Sequence, residues 1–233
     1  MSHPPHLGFI DNQLYFQQDE GQIKTPNDTY FLSQWALDDS SPFSNGEGKD
    51  VDINWLEGQK AYENDLIGGS EEGPSVVVAV IDSGVDYNHP DLKDAMWTNP
   101  GEIAGNGIDD DDNGIVDDMH GANFVRSSRC CNPPPNDPLD TDINTMGFGH
   151  GTAVAGIVAA SANNGEGIAG VAGNSKGKVK IMAIRYLGPN GGEFSWLLKS
   201  VNYAFEKKLK SPTTVTAAGH VETGSGTRYL NPY

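Results

Sequence analysis

One short stretch, VVVAVIDSG at residues 76–84, constrains the fold more than any other part of the chain. Six apolar residues run without interruption into Asp82, and a Ser-Gly pair then breaks the chain. An unbroken Val/Ile run bounded by turn residues is typical of a strand buried on both faces, as in a parallel sheet. Ligands of open α/β sheets lie beyond the carboxyl ends of such strands, so Asp82 occupies a position typical of a functional carboxylate. The alternative is that Asp82 only caps the turn.

The length and composition of the chain indicate a single acidic domain. Its 233 residues are enough for one α/β domain with a sizeable core. Its formal net charge of −17 argues against nucleic-acid binding through a basic surface. No apolar run approaches membrane-spanning length, and the N-terminus lacks the basic start and apolar stretch of a signal peptide. The sequence contains no indicator of oligomeric state.

Helical and strand patterns alternate along the rest of the chain, as expected for an α/β fold in which helices flank a parallel sheet. The helix after residue 52 is predicted to turn Ile53 and Leu56 inward. The last helix is amphipathic, and its predicted apolar stripe is Trp196, Leu197, Val201, Ala204 and Phe205. The predicted helices are 52–64, the run from His150 through GTAVAGIVAASA, and 193–208, and the predicted strands are 76–81, 121–125 and 178–186.

The two ends of the chain give no clear pattern. Residues 1–25 are polar and are predicted to be a tail or the remnant of a preceding segment, and residues 211–233 a divergent Thr/Gly-rich tail. Residues 26–210 are then the ordered domain. Cys130 and Cys131 are adjacent, so they do not form a disulfide framework. They are either two surface thiols in a proline-rich loop or residues with a redox or metal role.

His150 lies in GHGTAVAG, where a loop meets a helix and the flanking glycines leave room for a substrate. A histidine that stands alone in such a position more often has a structural role. However, His150 follows Asp82 by 68 residues. Asp82 lies in VIDSGVD and His150 in GHGTAVAGIVA, and these two stretches resemble the first two triad signatures of the subtilisin-like serine peptidases. The chain order in subtilisin is Asp, His, Ser. The resemblance is collinear over residues 27–210 and includes NDTYFLSQW, HPDL, NNGEGIAGVA and IMAIRYLGPNGGEFSW.

This resemblance implies a serine-type endopeptidase that hydrolyses peptide or protein substrates. His150 would be the general base that takes the serine proton and returns it to the leaving amine. Asp82 would hold the imidazole tautomer and stabilise the imidazolium. Family membership also implies a secreted or secretory-pathway protein, which nothing in this N-terminus indicates.

The segment after the 178–186 strand is similar to the edge along which family members pair an extended peptide substrate. Pairing by added-strand hydrogen bonds needs an exposed backbone, which glycines supply. Aromatic and aliphatic residues that follow resemble the walls of an apolar pocket. The alternative is a plain strand-to-helix turn with core aromatics. The residues implied are Gly188, Gly191 and Gly192 for the backbone, and Phe194 and Leu197 for the walls.

The resemblance also implies a structural Ca²⁺ site. In the family, a loop after the histidine helix binds calcium together with the acidic residue of HPDL, which is Asp91 here. The matching loop is residues 161–168, and it is one residue longer than the family pattern, which leaves the register open. The ligands implied are Asp91, the Asn164 side chain and carbonyls near Ser161, Glu166 and Ile168.

A second candidate calcium site is the aspartate loop, DDDDNGIVDD at residues 109–118. Hard oxygen ligands at alternating positions, turned by a glycine, suit Ca²⁺. Position 12 is His120 instead of a bidentate glutamate, so a closing ligand must come from elsewhere, with Asp118 as one candidate. The alternative is a solvated acidic face. The residues at loop positions 1, 3, 5, 7 and 9 are Asp109, Asp111, Asn113, Ile115 and Asp117.

The nucleophile that the family requires is missing from the chain. No Gly-Thr-Ser-x-Ala motif occurs in the 233 residues, and Ser225 in TGSGT lacks the following alanine and helix. We therefore expect the N-terminal half of a catalytic domain, with an incomplete subtilisin-like fold and no peptidase activity of its own. Two alternatives remain: an inactive homologue that binds peptides, and a calcium-binding interaction module.

Overall fold

Two sheets and three α-helices form the regular structure of the described residues, together with two short 3₁₀ turns. The computed structural model describes residues 7–10, 13–16, 25–39, 52–63, 75–125, 136–140, 149–175 and 177–210. The predicted 211–233 tail and both cysteines lie outside these ranges. The elements are β1 Leu7–Ile10, β2 Gln13–Phe16, α1 Trp55–Glu63, β3 Val76–Asp82, β4 Gly121–Asn123, α2 His150–Ala159, β5 Val179–Arg185 and α3 Phe194–Lys210.

The main sheet has the order β3-β5-β4, and both strand pairs are parallel. Its register pairs Asp82 with Arg185, so the carboxyl ends of β3 and β5 meet at one edge. The prediction of an α/β fold with a parallel sheet flanked by helices is confirmed. The burial of β3 is less complete than predicted. Among the described strands β3 lies at one side of this sheet, and only Val77 and Val80 of its residues are buried, whereas the others are partly exposed.

The middle strand, β5, divides the hydrophobic core into two layers. Its alternate residues point to opposite faces, as in any strand. Ile181 packs with Ala155 of α2 on one face. Met182 packs with Tyr203 of α3 on the other face. Helices therefore cover both faces of the sheet, and the edge where the strands end stays open for a site.

The first 25 residues contain structure that their composition did not indicate. Strands β1 and β2 form an antiparallel hairpin that pairs Leu7 with Phe16 and Ile10 with Gln13. The prediction that residues 1–25 are a tail or the remnant of a preceding segment stays a prediction, because two short paired strands are compatible with either. Within the described ranges, no helix has the length and apolarity needed to cross a bilayer.

The inward faces of two helices differ from those predicted. In α1 Trp55 is buried and packs with Phe31 and Ala169, and Leu56 packs against the same cluster, as predicted. Ile53 precedes the helix and is exposed. In α3 both Val201 and Phe205 are exposed. Among the α3 side chains that the structure describes, the buried ones are Ser200, Tyr203 and Lys207. The reason is that α3 packs partly on the aspartate loop, where a hydroxyl and an amine are the complementary groups.

Candidate active site

Asp82 is the last residue of β3, and its backbone and side chain are both held in place. Its carbonyl oxygen accepts hydrogen bonds from the amides of Tyr186 (2.9 Å) and Leu187 (3.1 Å), which follow β5. Its Oδ1 accepts a hydrogen bond from the Ser83 amide at 2.7 Å. These bonds fix the carboxylate at the open edge of the sheet.

His150 is the first residue of α2 and lies directly against Asp82. Its Nδ1 is 2.9 Å from each carboxylate oxygen of Asp82. The His150 side chain is 65% exposed, whereas that of Asp82 is 14% exposed. A carboxylate beside Nδ1 favours the tautomer that carries its hydrogen there, which leaves Nε2 as a proton acceptor. The pair can therefore take a proton from a hydroxyl group placed on the exposed side of the ring.

Two glycines allow the loop after β3 and the start of α2 to approach each other closely. A Cβ at Gly151 would collide with the carbonyl oxygen of Gly84. A Cβ at Gly84 would collide with the carbonyl oxygen of Pro138, and Gly84 has a φ of +104°. Small residues at these positions thus set the distance between the helix and the strand end.

A buried carboxylate lies behind the Asp82–His150 pair. Asp140 is 3% exposed, and its Oδ2 accepts hydrogen bonds from the Ser83 hydroxyl and the Gly149 amide, each at 3.0 Å. Sequence reasoning missed Asp140 because ten residues separate it from His150 and no short pattern links the two. An acidic residue in a polar loop looks like any solvated aspartate until the fold buries it.

The predicted substrate-binding segment forms a tight turn after β5. Gly188 and Gly191 exchange two backbone hydrogen bonds, of 3.0 and 2.9 Å. Gly188 is buried, whereas Gly191 and Gly192 are exposed. The accessible part of this glycine-rich backbone is therefore its second half.

The two predicted pocket-wall residues lie in the first turn of α3 and differ in exposure. Phe194 is 73% exposed, so most of its ring is available for contact. Leu197 is half-buried. Phe194 lies two residues after Gly192, and Leu197 lies three residues after Phe194.

The 161–168 loop folds around Asp91, which is buried. The carboxylate of Asp91 accepts hydrogen bonds from Asn164 Nδ2 (2.6 Å) and from the Ile168 amide (3.1 Å). Its backbone carbonyl accepts a bond from the Ser161 amide at 2.9 Å, and Asn164 Oδ1 accepts one from the Glu166 amide at 2.8 Å. The structure thus brings the predicted ligands together, but N–H groups face the carboxylate. Calcium ligation here requires the Asn164 amide to turn its oxygen towards Asp91.

The aspartate loop gathers carboxylates from two segments. One ligand atom each from Glu102, Asp109 and Asp111 lies within 4.8 Å of the others. Carboxylate oxygens at this spacing are the ligands that Ca²⁺ prefers. Glu102 was not predicted, because its place beside the loop depends on the turn between residues 102 and 109.

The other predicted ligands of this loop have different surroundings. Asn113 Oδ1 accepts a hydrogen bond from the Ile115 amide at 2.8 Å, and its Nδ2 donates to Asp118 at 3.0 Å. Asp117 Oδ2 accepts a bond from the Gly107 amide at 3.0 Å. Asn113, Ile115 and Asp117 therefore lie in the loop but outside the three-carboxylate group.

Asp118, the candidate closing ligand, is fully buried and belongs to a network with α3. It accepts hydrogen bonds from Tyr203 Oη and Asn99 Nδ2, both at 2.6 Å. Its ion pair with Lys207 Nζ is 3.0 Å long, and the same amine contacts Asp111. Burial raises the pKa of the Tyr203 hydroxyl, and the Asp118 carboxylate raises it further.

Glu102 is buried near the charges of Asp118 and Asp111, and they affect the pKa of its carboxyl group. Burial is the largest cause that raises its pKa above the ordinary value. A hydrogen bond from the Asp111 backbone acts in the opposite direction, and the charges of Asp118 and Asp111 raise the pKa again. A cation close to Glu102 would remove much of this destabilisation of the ionised form.

Comparison with known proteins gives one family match and several relatives. A family model described as the Subtilase family matches residues 73–215, which is more than half of the chain. Subtilisin-like protease 1 of Plasmodium vivax is 50% identical over 100 residues, covering 42% of this chain and 14% of that protein. The major intracellular serine protease of Bacillus subtilis is 34% identical over 163 residues, covering 68% of this chain and 40% of that protein.

A search of solved structures gives a more distant match. The crystal structure of the Aeromonas sobria serine protease in complex with its chaperone superposes with a TM-score of 0.46 at 22% identity. The match covers 85% of this chain and 27% of that chain. The chain thus spans less than half the length of each of these three proteins.

Proposed function

Because this chain belongs to the subtilase family, we propose that it carries the acid and base of a serine endopeptidase that hydrolyses peptide bonds. The observation that supports this proposal most directly is the contact between His150 Nδ1 and both oxygens of Asp82 at 2.9 Å. The pair lies at the carboxyl edge of a parallel sheet, where α/β proteins place their sites.

Each residue of the pair has a defined role in the proposed reaction. His150 takes the proton of a serine hydroxyl through Nε2 as that oxygen attacks the substrate carbonyl, and then gives the proton to the leaving amine. Asp82 holds the ring by its Nδ1 side and stabilises the positive imidazolium that forms. The low exposure of Asp82 strengthens this electrostatic effect, because little water screens its carboxylate.

The serine of the proposed triad has no counterpart motif among the 233 residues. We therefore expect the chain by itself to cleave no peptide. A protein of these residues that cleaved a peptide substrate, and lost that activity in His150→Ala, would contradict this expectation.

A hybrid enzyme tests the proposed function directly. Residues 73–215 would replace the matching segment of the Bacillus subtilis protease, with the nucleophilic serine of that relative retained. We expect peptide hydrolysis that a serine-directed fluorophosphonate blocks. His150→Ala or Asp82→Ala in the hybrid should lower kcat by about 10⁴-fold or more, since triad members act as a unit.

The matched control for the hybrid is Asp94→Ala. Asp94 is exposed, and its backbone carbonyl accepts a hydrogen bond from Lys180 Nζ near the start of β5. This variant should keep kcat within about threefold of the unsubstituted hybrid, as is usual for changes away from special features. A folded hybrid that hydrolyses no peptide, or one that is unaffected by His150→Ala, would rule out the proposal.

For substrate binding, the exposed backbone of Gly192 supports pairing with an extended peptide. Phe194 offers an apolar surface two residues further on, and Leu197 follows in the same turn of α3. We assign the peptide to Gly192 rather than to Gly188 or Gly191, because the backbone N–H and C=O groups of those two glycines are bonded to each other.

We also propose that the aspartate loop binds Ca²⁺ as a structural ion. The supporting observation is the proximity of Glu102, Asp109 and Asp111, whose carboxylates carry three negative charges when ionised. Bound calcium would neutralise charge there and hold the loop against the sheet. The loop around Asp91 remains a second predicted site, which requires the Asn164 amide to turn.

Calorimetric titration with CaCl₂ separates the two predicted calcium sites. Glu102→Gln or Asp111→Ala should abolish or greatly weaken one binding event, and Asp91→Asn should affect only the other. Asp39→Asn, a control outside both loops, should change neither. Equal calcium affinity in wild type and Glu102→Gln would remove the aspartate loop from consideration.

A further inference from the structure

We propose that Asp140 is a positioning residue that fixes the position of His150 relative to Asp82 through one carboxylate oxygen, Oδ2. This inference rests on the proposed function of the pair. Asp140 accepts hydrogen bonds from the residues next to the pair in sequence. Ser83 follows Asp82, and Gly149 precedes His150, and both donate hydrogen bonds to Asp140 Oδ2 at 3.0 Å.

A second bond closes this arrangement. The Ser83 hydroxyl donates to Asp140 and at the same time accepts a hydrogen bond from the Gly151 amide at 3.0 Å. Gly151, which follows His150, is therefore bound to Ser83 directly, and Gly149, which precedes His150, is bound to it through Asp140. A rotation of α2 relative to the end of β3 would break at least one of these bonds.

Burial makes this hydrogen-bond network rigid. Asp140 and Ser83 are each 3% exposed, so water cannot easily replace a broken bond. Hydrogen bonds to an ionised carboxylate are shorter and stronger than neutral ones. Asp140 also lies at the N-terminus of α2, where the helix dipole favours a negative charge.

The segment that carries Asp140 is itself attached to the sheet. The Pro138 carbonyl accepts a hydrogen bond from the Val85 amide at 3.1 Å. The Leu139 carbonyl accepts one from Arg185 Nη1 at 2.7 Å, and Arg185 is the last residue of β5. Residues 136–140 thus connect the chain after β3 and the end of β5 to the start of α2 through hydrogen bonds.

The test compares the His150 tautomer in variants of the full 233-residue chain by ¹⁵N NMR of the imidazole, with His150→Gln used for assignment. Wild type should show the Nδ1–H tautomer, and Asp82→Asn should lose it. Asp140→Ala should also lose the single Nδ1–H pattern, while Asp140→Asn, which keeps an acceptor oxygen, should restore part of it. Asp94→Ala, which removes an exposed carboxylate outside this segment, should match wild type.

The outcomes separate this inference from the function on which it rests. Absence of an Asp82-dependent tautomer in wild type would contradict the proposed pair itself. A normal Asp82-dependent tautomer that persists in Asp140→Ala would overturn the positioning role alone. Melting curves identify variants that fail to fold; if Asp140→Ala is one of them, Ser83→Ala carries the test. It removes the bridging hydroxyl and should broaden the tautomer pattern in the same direction.

Discussion

At the scale of single residues, Gly84 shows how the backbone just after Asp82 is constrained. Its φ of +104° lies in a region that glycine enters freely and other residues rarely adopt. An added Cβ would also meet the Pro138 carbonyl oxygen, which belongs to the segment that carries Asp140. The position therefore combines a conformational requirement with a steric one.

Gly84→Ala should lower the free energy of unfolding by about 2–4 kcal/mol, measured by urea denaturation, because strain and overpacking add. The control is Gly58→Ala, in α1, where a Cβ meets no atom within 4 Å. That variant should be unchanged or more stable by about 0.5–1 kcal/mol, since alanine favours a helix interior over glycine. Equal stability of Gly84→Ala and wild type would contradict the constraint.

Tyr87 provides a pH-dependent prediction at the same scale. Its hydroxyl donates to the Asp137 carboxylate at 3.0 Å, and burial, followed by the charge of Asp137, raises the pKa of Tyr87 from 10.0 to about 12. Between these pH values the folded chain keeps a proton that the unfolded chain has released. Stability contributed by this group is therefore full below pH 10 and is lost as the pH rises towards 12.

Urea midpoints measured across this alkaline range should fall less steeply in Tyr87→Phe than in wild type. Tyr30→Phe is the matched control, because Tyr30 is 60% exposed. It should reproduce the wild-type slope. A slope in Tyr87→Phe identical to that of wild type would mean that the hydroxyl does not contribute to the alkaline loss of stability.

At the scale of secondary-structure elements, α3 is attached to the aspartate loop by its polar residues. Lys207 is buried and contacts both Asp111 and Asp118, and Tyr203 donates to Asp118. A buried carboxylate that loses a positive partner is strongly destabilised. The Lys207 amine thus neutralises part of the negative charge of the loop, as a bound cation would.

Lys207→Met should lower the free energy of unfolding by about 3–5 kcal/mol in calcium-free buffer, measured by urea denaturation. Added CaCl₂ should recover part of this loss, because Asp111 is then available to the ion. Lys208→Met, at an exposed position of α3, should change stability by less than about 0.5 kcal/mol. A small effect of Lys207→Met would show that its ion pairs contribute little.

The elements also show what the sequence could predict. Strands β3 and β5 and helix α2 were predicted from apolar runs and small residues, because burial of such runs leaves a local pattern. The inward face of α3 could not be predicted, since Lys207 is buried only through carboxylates almost a hundred residues earlier. The same limit applies to Glu102 and Asp140, whose roles depend on contacts between distant segments.

At the scale of the whole molecule, the net charge of −17 acts on every segment at once. Many negative charges on one domain repel each other and favour expansion. Monovalent salt weakens this repulsion without binding at a particular place: the Debye length falls from about 30 Å at 0.01 M to about 8 Å at 0.15 M. A specific ion site has a different signature, because its effect depends on the concentration of that ion at constant ionic strength.

Melting temperatures can separate these two contributions. Raising NaCl from about 0.01 M to about 0.15 M should raise the Tm of wild type and of Glu102→Gln alike, because both keep a large negative charge. At constant ionic strength, CaCl₂ should stabilise wild type further, by about 2.7 kcal/mol when the ion is at 100 times its Kd. Glu102→Gln should lose most of that increment, and MgCl₂, which demands stricter octahedral geometry, should give less of it. If CaCl₂ and MgCl₂ raised the Tm equally in both proteins, the aspartate loop would act only as a diffuse acidic surface, and screening alone would explain the effect of salt.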